Sequence, residues 1–222
     1  MCATPAPPLF SAPAPEMAPD LDLRPGEPTR STMDRWVQTC RSCGATAPDL
    51  VALPSRLRAA LDTPGYRALA GDAPGQPFLR WAMLAETLDE PDEAAQAVMQ
   101  AAWALDDAND TEAATTLRRR ATTLWGQGAT VQDALRVLDA RRRTGDLGAA
   151  RDQAAHLAAR SGLEDTDRTV LQFQEKLIAA GDTARHLLSA ALRPPARTPH
   201  VTHGRPAPAP AAPSLWQRLF GR

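Results

Sequence analysis

Residues 78–107 read FLRWAMLAETLDEPDEAAQAVMQAAWALDD and predict two amphipathic helices joined by a short acidic turn. In the first half, apolar residues recur at steps of three and four positions, which places them on one helix face. Pro77 stands at the entry, where a missing N–H costs nothing, and Pro91 disfavours helical geometry in the residue before it. Asp92 and Glu93 then suit the N-terminus of a second helix that is rich in alanine. The stretch therefore predicts an antiparallel helix pair with a short connection.

A recurring turn predicts more helices of the same kind. Asn109-Asp110, Gly145-Asp146 and Gly181-Asp182 are spaced 36 residues apart, and Asp89-Glu90 is a related copy 20 residues earlier. Each copy begins with a residue that tolerates left-handed backbone geometry, and in the three spaced copies an aspartate follows that can cap the next helix. Periods of roughly 33 to 36 residues are typical of helical repeat arrays. The predicted fold class is all-α, with about seven helices in tetratricopeptide-like antiparallel hairpins, a small N-terminal CxxC knuckle and disordered Pro-rich ends.

Composition divides the 222-residue chain into five segments. Residues 1–32 contain eight prolines and no apolar period, which predicts a disordered Pro-rich leader. Met17 and Met33 are alternative translation starts under which part or all of this leader would be missing. The other segments are a CxxC knuckle segment at 33–53, a helical repeat-like domain at 54–192, a Pro/Ala-rich basic linker at 193–213 and an amphipathic tail at 214–222.

Charge and hydropathy limit the location and the partners. The N-terminus lacks the basic start and apolar run of a signal peptide, and no stretch approaches the roughly 18 apolar residues of a membrane span. Three cysteines, two of them in one C-x-x-C, fit a reducing cytoplasm, and the Arg, Ala and Pro bias suggests a high-GC bacterial genome. The net charge of −1 gives no overall electrostatic footprint for nucleic acid, although residues 193–222 hold five arginines and no acid. We expect a cytoplasmic protein without a membrane span.

Cys40 and Cys43, followed by Gly44, have the spacing of a zinc knuckle, in which the glycine permits a tight turn. Tetrahedral zinc takes four ligands, but the chain has no second C-x-x-C. Its other candidate ligands are remote in sequence: Cys2, His156, His186, His200 and His203. Three interpretations stay open, namely a metal site that can bridge two copies, a redox dithiol, and a relic that only packs. The sequence predicts no cofactor, with zinc at these cysteines as the alternative.

Aromatic and charged residues in the helices favour structural roles. Trp81, Trp103 and Trp125 are spaced 22 residues apart and are expected in the core rather than in a ligand box. The triple arginines at 118–120 and 141–143 point around their helices, which favours solvated helix ends over a phosphate-binding face.

Acidic residues supply the only candidate acid–base pairs. These are Asp106 with Asp107 and Glu86 with Glu90, for which capping and solvated charge are the favoured roles. With no glycine-rich phosphate loop and no nucleophile elbow, the sequence predicts no catalytic residue.

The final nine residues differ from the linker before them. Leu215, Trp216, Leu219 and Phe220 would share one helix face, but nine residues do not hold a helix alone in water. Such a segment usually folds on a groove or at a membrane surface, so we expect a tail that docks on a partner protein. The alternative is a terminal extension packed loosely on its own body.

Two resemblances rest on these motifs. Gly145-Asp146 with Ala150 looks like a tetratricopeptide repeat turn without the aromatic signature residues of that family. Residues 36–192 resemble an uncharacterised bacterial family that couples a C-x-x-C-G knuckle to tetratricopeptide-like helices. The matching positions are Cys40, Cys43, Gly44, Ala47, Asp49, Ala101-Ala102-Trp103, Asp106-Asp107, Arg120-Ala121, Phe173, Leu177-Ile178, Gly181-Asp182 and His186. Members often carry an aromatic residue where this chain has Ala45.

The resemblance implies a helical scaffold that binds another protein. We therefore predict a non-enzymatic protein-interaction scaffold that uses a helical groove and the C-terminal tail. The alternative is a zinc-dependent or nucleic-acid-binding regulator that uses the knuckle and the basic tail, and an enzyme is the least favoured class.

Overall fold

The structure, a computed structural model, describes residues 9–192. The predicted linker at 193–213 and the tail with Leu215, Trp216, Leu219 and Phe220 lie outside the described residues. Within residues 9–192 the chain is mostly helical, which confirms the all-α prediction. Its helices are α1 (Arg58–Leu61), α2 (Pro64–Ala68), α3 (Gln76–Thr87), α4 (Pro91–Asp107), α5 (Thr111–Trp125), α6 (Val131–Arg143), α7 (Leu147–Ala158), α8 (Asp165–Ala179) and α9 (Leu188–Ala191). Two 3-10 helices span Arg30–Arg35 and Ser55–Leu57, and strands β1 (Gln38–Thr39) and β2 (Thr46–Ala47) form an antiparallel hairpin.

The stretch that predicted a helix pair forms α3 and α4. A proline lies in the first turn of each helix, and Asp92 and Glu93 occupy the first turn of α4. Four alanines of α4 are fully buried, which lets neighbouring backbones approach closely: Ala94, Ala95, Ala101 and Ala102. The local sequence signals therefore place both helices correctly.

The recurring turns adopt the predicted left-handed geometry. Asp89, Asn109, Gly145 and Gly181 have φ values of 63°, 62°, 77° and 69°. At two of these turns the following aspartate caps a helix, because Asp110 accepts a hydrogen bond from Ala113 N–H and Asp146 accepts one from Ala149 N–H.

The segment after Gly181 departs from the prediction. The Gly181-Asp182 turn, like the other copies, predicts that a long helix follows it, but α9 includes only Leu188–Ala191. The preceding residues pair with the N-terminal segment, since Leu21 N–H donates to His186 O (3.0 Å) and Leu188 N–H donates to Pro19 O (2.8 Å). The backbone N–H groups are thus satisfied by a distant segment in place of a helical turn.

Residues 9–29, which we call the N-terminal strap, correct the prediction of a disordered leader over 1–32. Leu21, Asp22 and Arg24 are buried, and Asp20 forms a β-bridge with Leu187. Pro-rich composition indicated weak intrinsic structure, but tertiary contacts order this segment. The first eight residues of the predicted leader lie outside the described part of the chain.

The long helices pack mainly on their neighbours in the chain. The pairs α3–α4, α4–α5, α5–α6, α6–α7 and α7–α8 are all in contact, and α6 also contacts α8. One apolar cluster joins the hairpin segment to α3 and α4, and a second joins Leu21 of the strap to α6, α7 and α8. Trp81, Trp103 and Trp125 are buried in the first cluster, which confirms their prediction as core residues. No helix in residues 9–192 is long and apolar enough to cross a membrane.

Candidate functional site

The candidate site is the turn of the β-hairpin and the pocket beside it. Gly44 has a φ of 71° and donates its N–H to Cys40 O (2.8 Å), while Cys40 N–H donates to Ala45 O (2.8 Å). The left-handed glycine closes the turn that carries both thiols, as the C-x-x-C-G motif predicted. Ala45 is buried, so its small side chain is matched to the packing beneath the turn.

The two thiols of the turn are not joined by a disulfide. Cys40 Sγ lies 3.4 Å from Ser42 Oγ, and this hydrogen bond lowers the pKa of the Cys40 thiol below its ordinary value despite some opposing burial. A lowered pKa increases the thiolate fraction, which is the form that binds metal or reacts.

Metal binding at the turn requires more ligands than the described residues provide. Within residues 9–192, no group of three His, Cys, Asp or Glu side chains is placed to hold a metal ion. His156 and His186 therefore do not complete the site. Cys2, His200 and His203 lie outside the described range. Two thiols alone do not fit a structural zinc site, which takes four ligands.

A pocket of about 330 Å³ opens between the hairpin turn and helices α1, α2 and α3. Cys43 lines it from the hairpin, Arg58 and Arg67 from the first two helices, and Arg80 from α3. Tyr66 Oη donates to Gly44 O (2.9 Å), which ties α2 to the turn, and burial raises the pKa of this phenol. The pocket thus has an electropositive wall next to a thiol.

Arg80 is the unusual residue of this pocket. Only 6% of its surface is exposed, yet its hydrogen bonds go to two neutral oxygens, Thr39 Oγ1 (3.4 Å) and Gly71 O (3.2 Å). Sequence reasoning missed Arg80, although its position offered a signal. It lies four residues before the fully buried Leu84, on the apolar face of α3, where a charge needs a partner.

The predicted acid pair lies elsewhere and is engaged by arginines. Asp106 accepts hydrogen bonds from Arg118 and Arg143, and Asp107 accepts hydrogen bonds from Arg24 and Arg30. Burial opposes ionisation at both carboxyls, but these hydrogen bonds and charges hold the pKa of each below its ordinary value. Two hydrogen-bonded carboxylates with lowered pKa values are poorly suited to exchange protons near neutral pH.

The other predicted pair is also explained by local contacts. Glu86 forms an ion pair with Arg120 (2.6 Å), and Glu90 is the exposed residue that precedes α4. The structure does not bring these carboxylates together with Asp106 and Asp107 into one site.

One arginine in each triplet corrects the prediction of solvated helix ends. Arg118 is buried against Asp106, and Arg142 is fully buried, donating to Asp139 (2.6 Å) and to the carbonyl oxygen of Asp182 (2.7 Å). Sequence reasoning placed these side chains around their helices, but it did not reveal that acidic residues face them, Asp106 from α4 and Asp139 from the same helix as Arg142. Arg118 and Arg142 therefore stabilise the interior, whereas Arg119 is exposed as predicted.

Asp22 of the strap is the second residue that sequence reasoning missed. Its carboxylate is fully buried and accepts hydrogen bonds from Trp103 Nε1 (2.9 Å), Arg143 Nη1 (3.1 Å) and the backbone N–H of Arg24 (3.2 Å). These partners belong to the strap, α4 and α6. The cluster is a structural centre, because its charges are paired with one another.

Comparison with protein-family models, with curated proteins and with solved structures finds no match for this chain. The resemblance to the knuckle-containing family therefore stays a prediction, and the functional argument rests on the residues themselves.

Proposed function

We propose that this chain is a non-enzymatic scaffold that binds another protein in the cytoplasm. The observation that carries the proposal is the packing of α3 to α8, in which each long helix contacts mainly the one before and the one after it. Such serial packing is the arrangement of helical arrays, whose extended surface is used for binding. We also propose that these helices are arranged as tetratricopeptide-like antiparallel hairpins.

The state of the acidic residues supports a role without catalysis. Asp106 and Asp107 are held ionised by four arginines, and Glu86 is paired with Arg120. In the part of the chain that the structure describes, these pairs serve packing, and the remaining candidate feature is a pocket suited to binding.

The test is affinity capture with the full-length chain and with a variant of the predicted tail. Leu215, Trp216, Leu219 and Phe220 are changed together to alanine, and Gln217→Ala is the matched control within the same segment. We expect a defined set of partner proteins, quantified by mass spectrometry, to be reduced at least tenfold by the fourfold change and to be retained with Gln217→Ala. Equal recovery with both variants would remove the tail from the proposal, and no enrichment over an unrelated helical protein would end the scaffold proposal itself.

The alternative of a zinc-dependent regulator is tested by the zinc content of the purified full-length chain, with Cys40→Ser as the control. We expect no stoichiometric zinc, because the described residues provide only two thiols. One zinc per chain that is lost in Cys40→Ser would show that residues outside 9–192 complete the site. One zinc per two chains would show a metal-bridged dimer.

A further inference from the structure

We propose that the CxxC turn is a thiol–disulfide exchange site, in which Cys40 attacks a small-molecule disulfide and Cys43 then forms a disulfide with Cys40. The oxidant is a disulfide of the glutathione type, and a dithiol reverses the reaction. This site does not depend on the scaffold proposal, because it is argued from the turn and its thiols alone.

The first argument is that one closed turn carries both thiols. Gly44 N–H donates to Cys40 O (2.8 Å), so residues 40–44 fold into a single hydrogen-bonded turn. In such a turn the Cα atoms of the first and fourth residues lie within about 7 Å of each other. A disulfide joins residues whose Cα atoms are about 4.4–6.8 Å apart, so the bridge from Cys40 to Cys43 requires little backbone movement.

The second argument is that the rest of the fold holds this turn in place. Cys40 N–H donates to Ala45 O (2.8 Å), and the pairing of β1 with β2 continues the hairpin below the turn. Tyr66 Oη donates to Gly44 O (2.9 Å), which fixes the turn to α2. These contacts orient the two thiols before an oxidant arrives, which reduces the entropic cost of closing the disulfide.

The third argument identifies Cys40 as the attacking thiol. Its Sγ lies 3.4 Å from Ser42 Oγ, and this hydrogen bond lowers the pKa of the Cys40 thiol. Burial opposes the shift, whereas hydrogen bonds from the backbone of Ser42 and Cys43 and from the Cys43 side chain add to it. Cys40 is half-buried and Arg41 and Ser42 are exposed, so a small oxidant can approach the sulfur. A thiolate that solvent reaches is the reactive form of cysteine in disulfide exchange.

The exchange takes place in two steps. The Cys40 thiolate attacks one sulfur of the oxidant, which forms a mixed disulfide and releases the first half of the oxidant as a thiol after protonation. Cys43 then loses its proton and attacks the Cys40 sulfur, which forms the bond between the two cysteines and releases the second half. Two electrons and two protons leave the cysteine pair and appear in the two released thiols.

The test is treatment of the full-length chain, carrying Cys2→Ser, with oxidised glutathione at pH 7, followed by acid quenching, alkylation and trypsin digestion. Trypsin cleaves after Arg41, between the two remaining cysteines, so the disulfide keeps peptides 36–41 and 42–56 linked in the mass spectrum. Because the turn is formed in advance, we expect the linked pair to form roughly fivefold faster, or more, in the native chain than in urea. Dithiothreitol should reverse the linkage.

Two single-cysteine variants separate the roles of the thiols. Cys43→Ser should stop at the glutathione adduct on Cys40, and Cys40→Ser should form its adduct on Cys43 more slowly, by roughly threefold or more. Absence of the linked pair, or equal rates of linkage in the native chain and in urea, would overturn the proposal. Equal rates of adduct formation in the two variants would overturn the assignment of Cys40 as the attacking thiol.

A pH profile tests the part of Ser42. The rate of Cys40 alkylation by iodoacetamide is measured against pH in Cys43→Ser, with and without Ser42→Ala. We expect Ser42→Ala to move the midpoint to higher pH, because the thiolate loses a hydrogen bond. Ser55→Ala, at an exposed serine outside the turn, should leave the midpoint unchanged. The same midpoint in both serine variants would show that Ser42 does not stabilise the Cys40 thiolate.

Discussion

The carboxylate of Asp22 links the strap to side chains on three different helices of the body. Its buried carboxylate joins the strap to Trp103 on α4 and to Arg143 on α6 through hydrogen bonds of 2.9 and 3.1 Å. Arg118 on α5 is also within ion-pair distance, at 3.9 Å. Since the arginines around Asp22 are themselves largely buried, the carboxylate neutralises charges that would otherwise be desolvated without a partner.

Replacing this carboxylate is therefore expected to cost more than one hydrogen bond. Asp22→Asn keeps the shape but removes the negative charge, and we expect the free energy of unfolding to fall by about 3–5 kcal/mol. Urea denaturation followed by tryptophan fluorescence measures this change. The exposed Asp34→Asn is the control and is expected to stay within about 0.5 kcal/mol of the original protein. Equal stability of the two variants would show that Asp22 is not required for charge balance.

The buried carboxyl of Asp20 is expected to make the stability of the strap depend on pH. Burial and the nearby Asp22 raise its pKa to about 6, although Arg185 and Arg24 oppose the shift. A carboxyl whose pKa is raised in the folded state favours folding most strongly below its ordinary pKa, and this contribution is lost as the pH rises through about 6. Asp106 and Asp107 have lowered pKa values, so their contributions are lost only under more acidic conditions.

We therefore expect the strap to be held more firmly at pH 5 than at pH 7. The measurement is the hydrogen-exchange protection factor of Leu21 N–H, which donates to His186 O, and of Leu188 N–H, which donates to Pro19 O. Asp20→Asn, which mimics the protonated acid, should give high protection at both pH values and so separates Asp20 from the nearby His186. A pH dependence that persists in Asp20→Asn would assign it to another group.

The turns between helices show which part of the fold was readable from local sequence. A glycine or asparagine tolerates left-handed backbone geometry, and an aspartate directly after it can cap the next helix. The turns at Asn109 and Gly145 and the helices that follow them could therefore be predicted from local sequence. The turn at Gly181 has the same sequence signal, but distant pairing with the strap prevents the long helix. Local signals therefore place helices wherever no remote segment competes for the backbone.

The α6–α7 turn allows a direct test of this local rule. Gly145 and Gly148 both have open space where a Cβ atom would lie, but only Gly145 has a positive φ, of 77°. Gly145→Ala is expected to destabilise the protein by about 1–2 kcal/mol, because an L-residue is strained in left-handed geometry. Gly148→Ala, within α7, is expected to be neutral or stabilising by up to about 1 kcal/mol. Thermal unfolding of the two variants checks the sign, and a similar loss in both would contradict it.

The polar contacts between segments that are distant in sequence could not be predicted from the sequence. Asp22 meets Trp103 across 81 residues and Arg143 across 121 residues, and periodicity identifies buried faces without pairing their polar atoms. The candidate pocket is a mixed case. The thiol turn was evident from Cys40, Cys43 and Gly44. The hydrogen bonds of Arg80 to the neutral oxygens of Thr39 and Gly71 were not, because they depend on how separate segments of the chain pack together.

At the scale of the molecule, the strap behaves as an internal ligand of the helical body. Leu21 enters the cluster formed by α6, α7 and α8, and Asp22 with Arg24 enters the charged cluster at the end of α4. The acidic end of α4 is unfavourable for the helix dipole, so Asp106 and Asp107 depend on the surrounding arginines, one of which the strap supplies. Removing the strap should thus expose apolar surface and unbalance charge together.

A chain that begins at Met33 tests this view. We expect residues 33–222 to lose at least as much stability as Asp22→Asn, because Trp103 Nε1 and Arg143 lose the same partner and the site of Leu21 is exposed as well. Urea denaturation measures the loss, and a synthetic peptide of residues 9–32 added in excess should restore part of it by binding the folded state. The same peptide with Asp22→Asn should restore much less, since it lacks the charge that the arginines require. Unchanged stability of residues 33–222, or equal rescue by both peptides, would show that the helical body balances its own charges and that the strap merely lies against it.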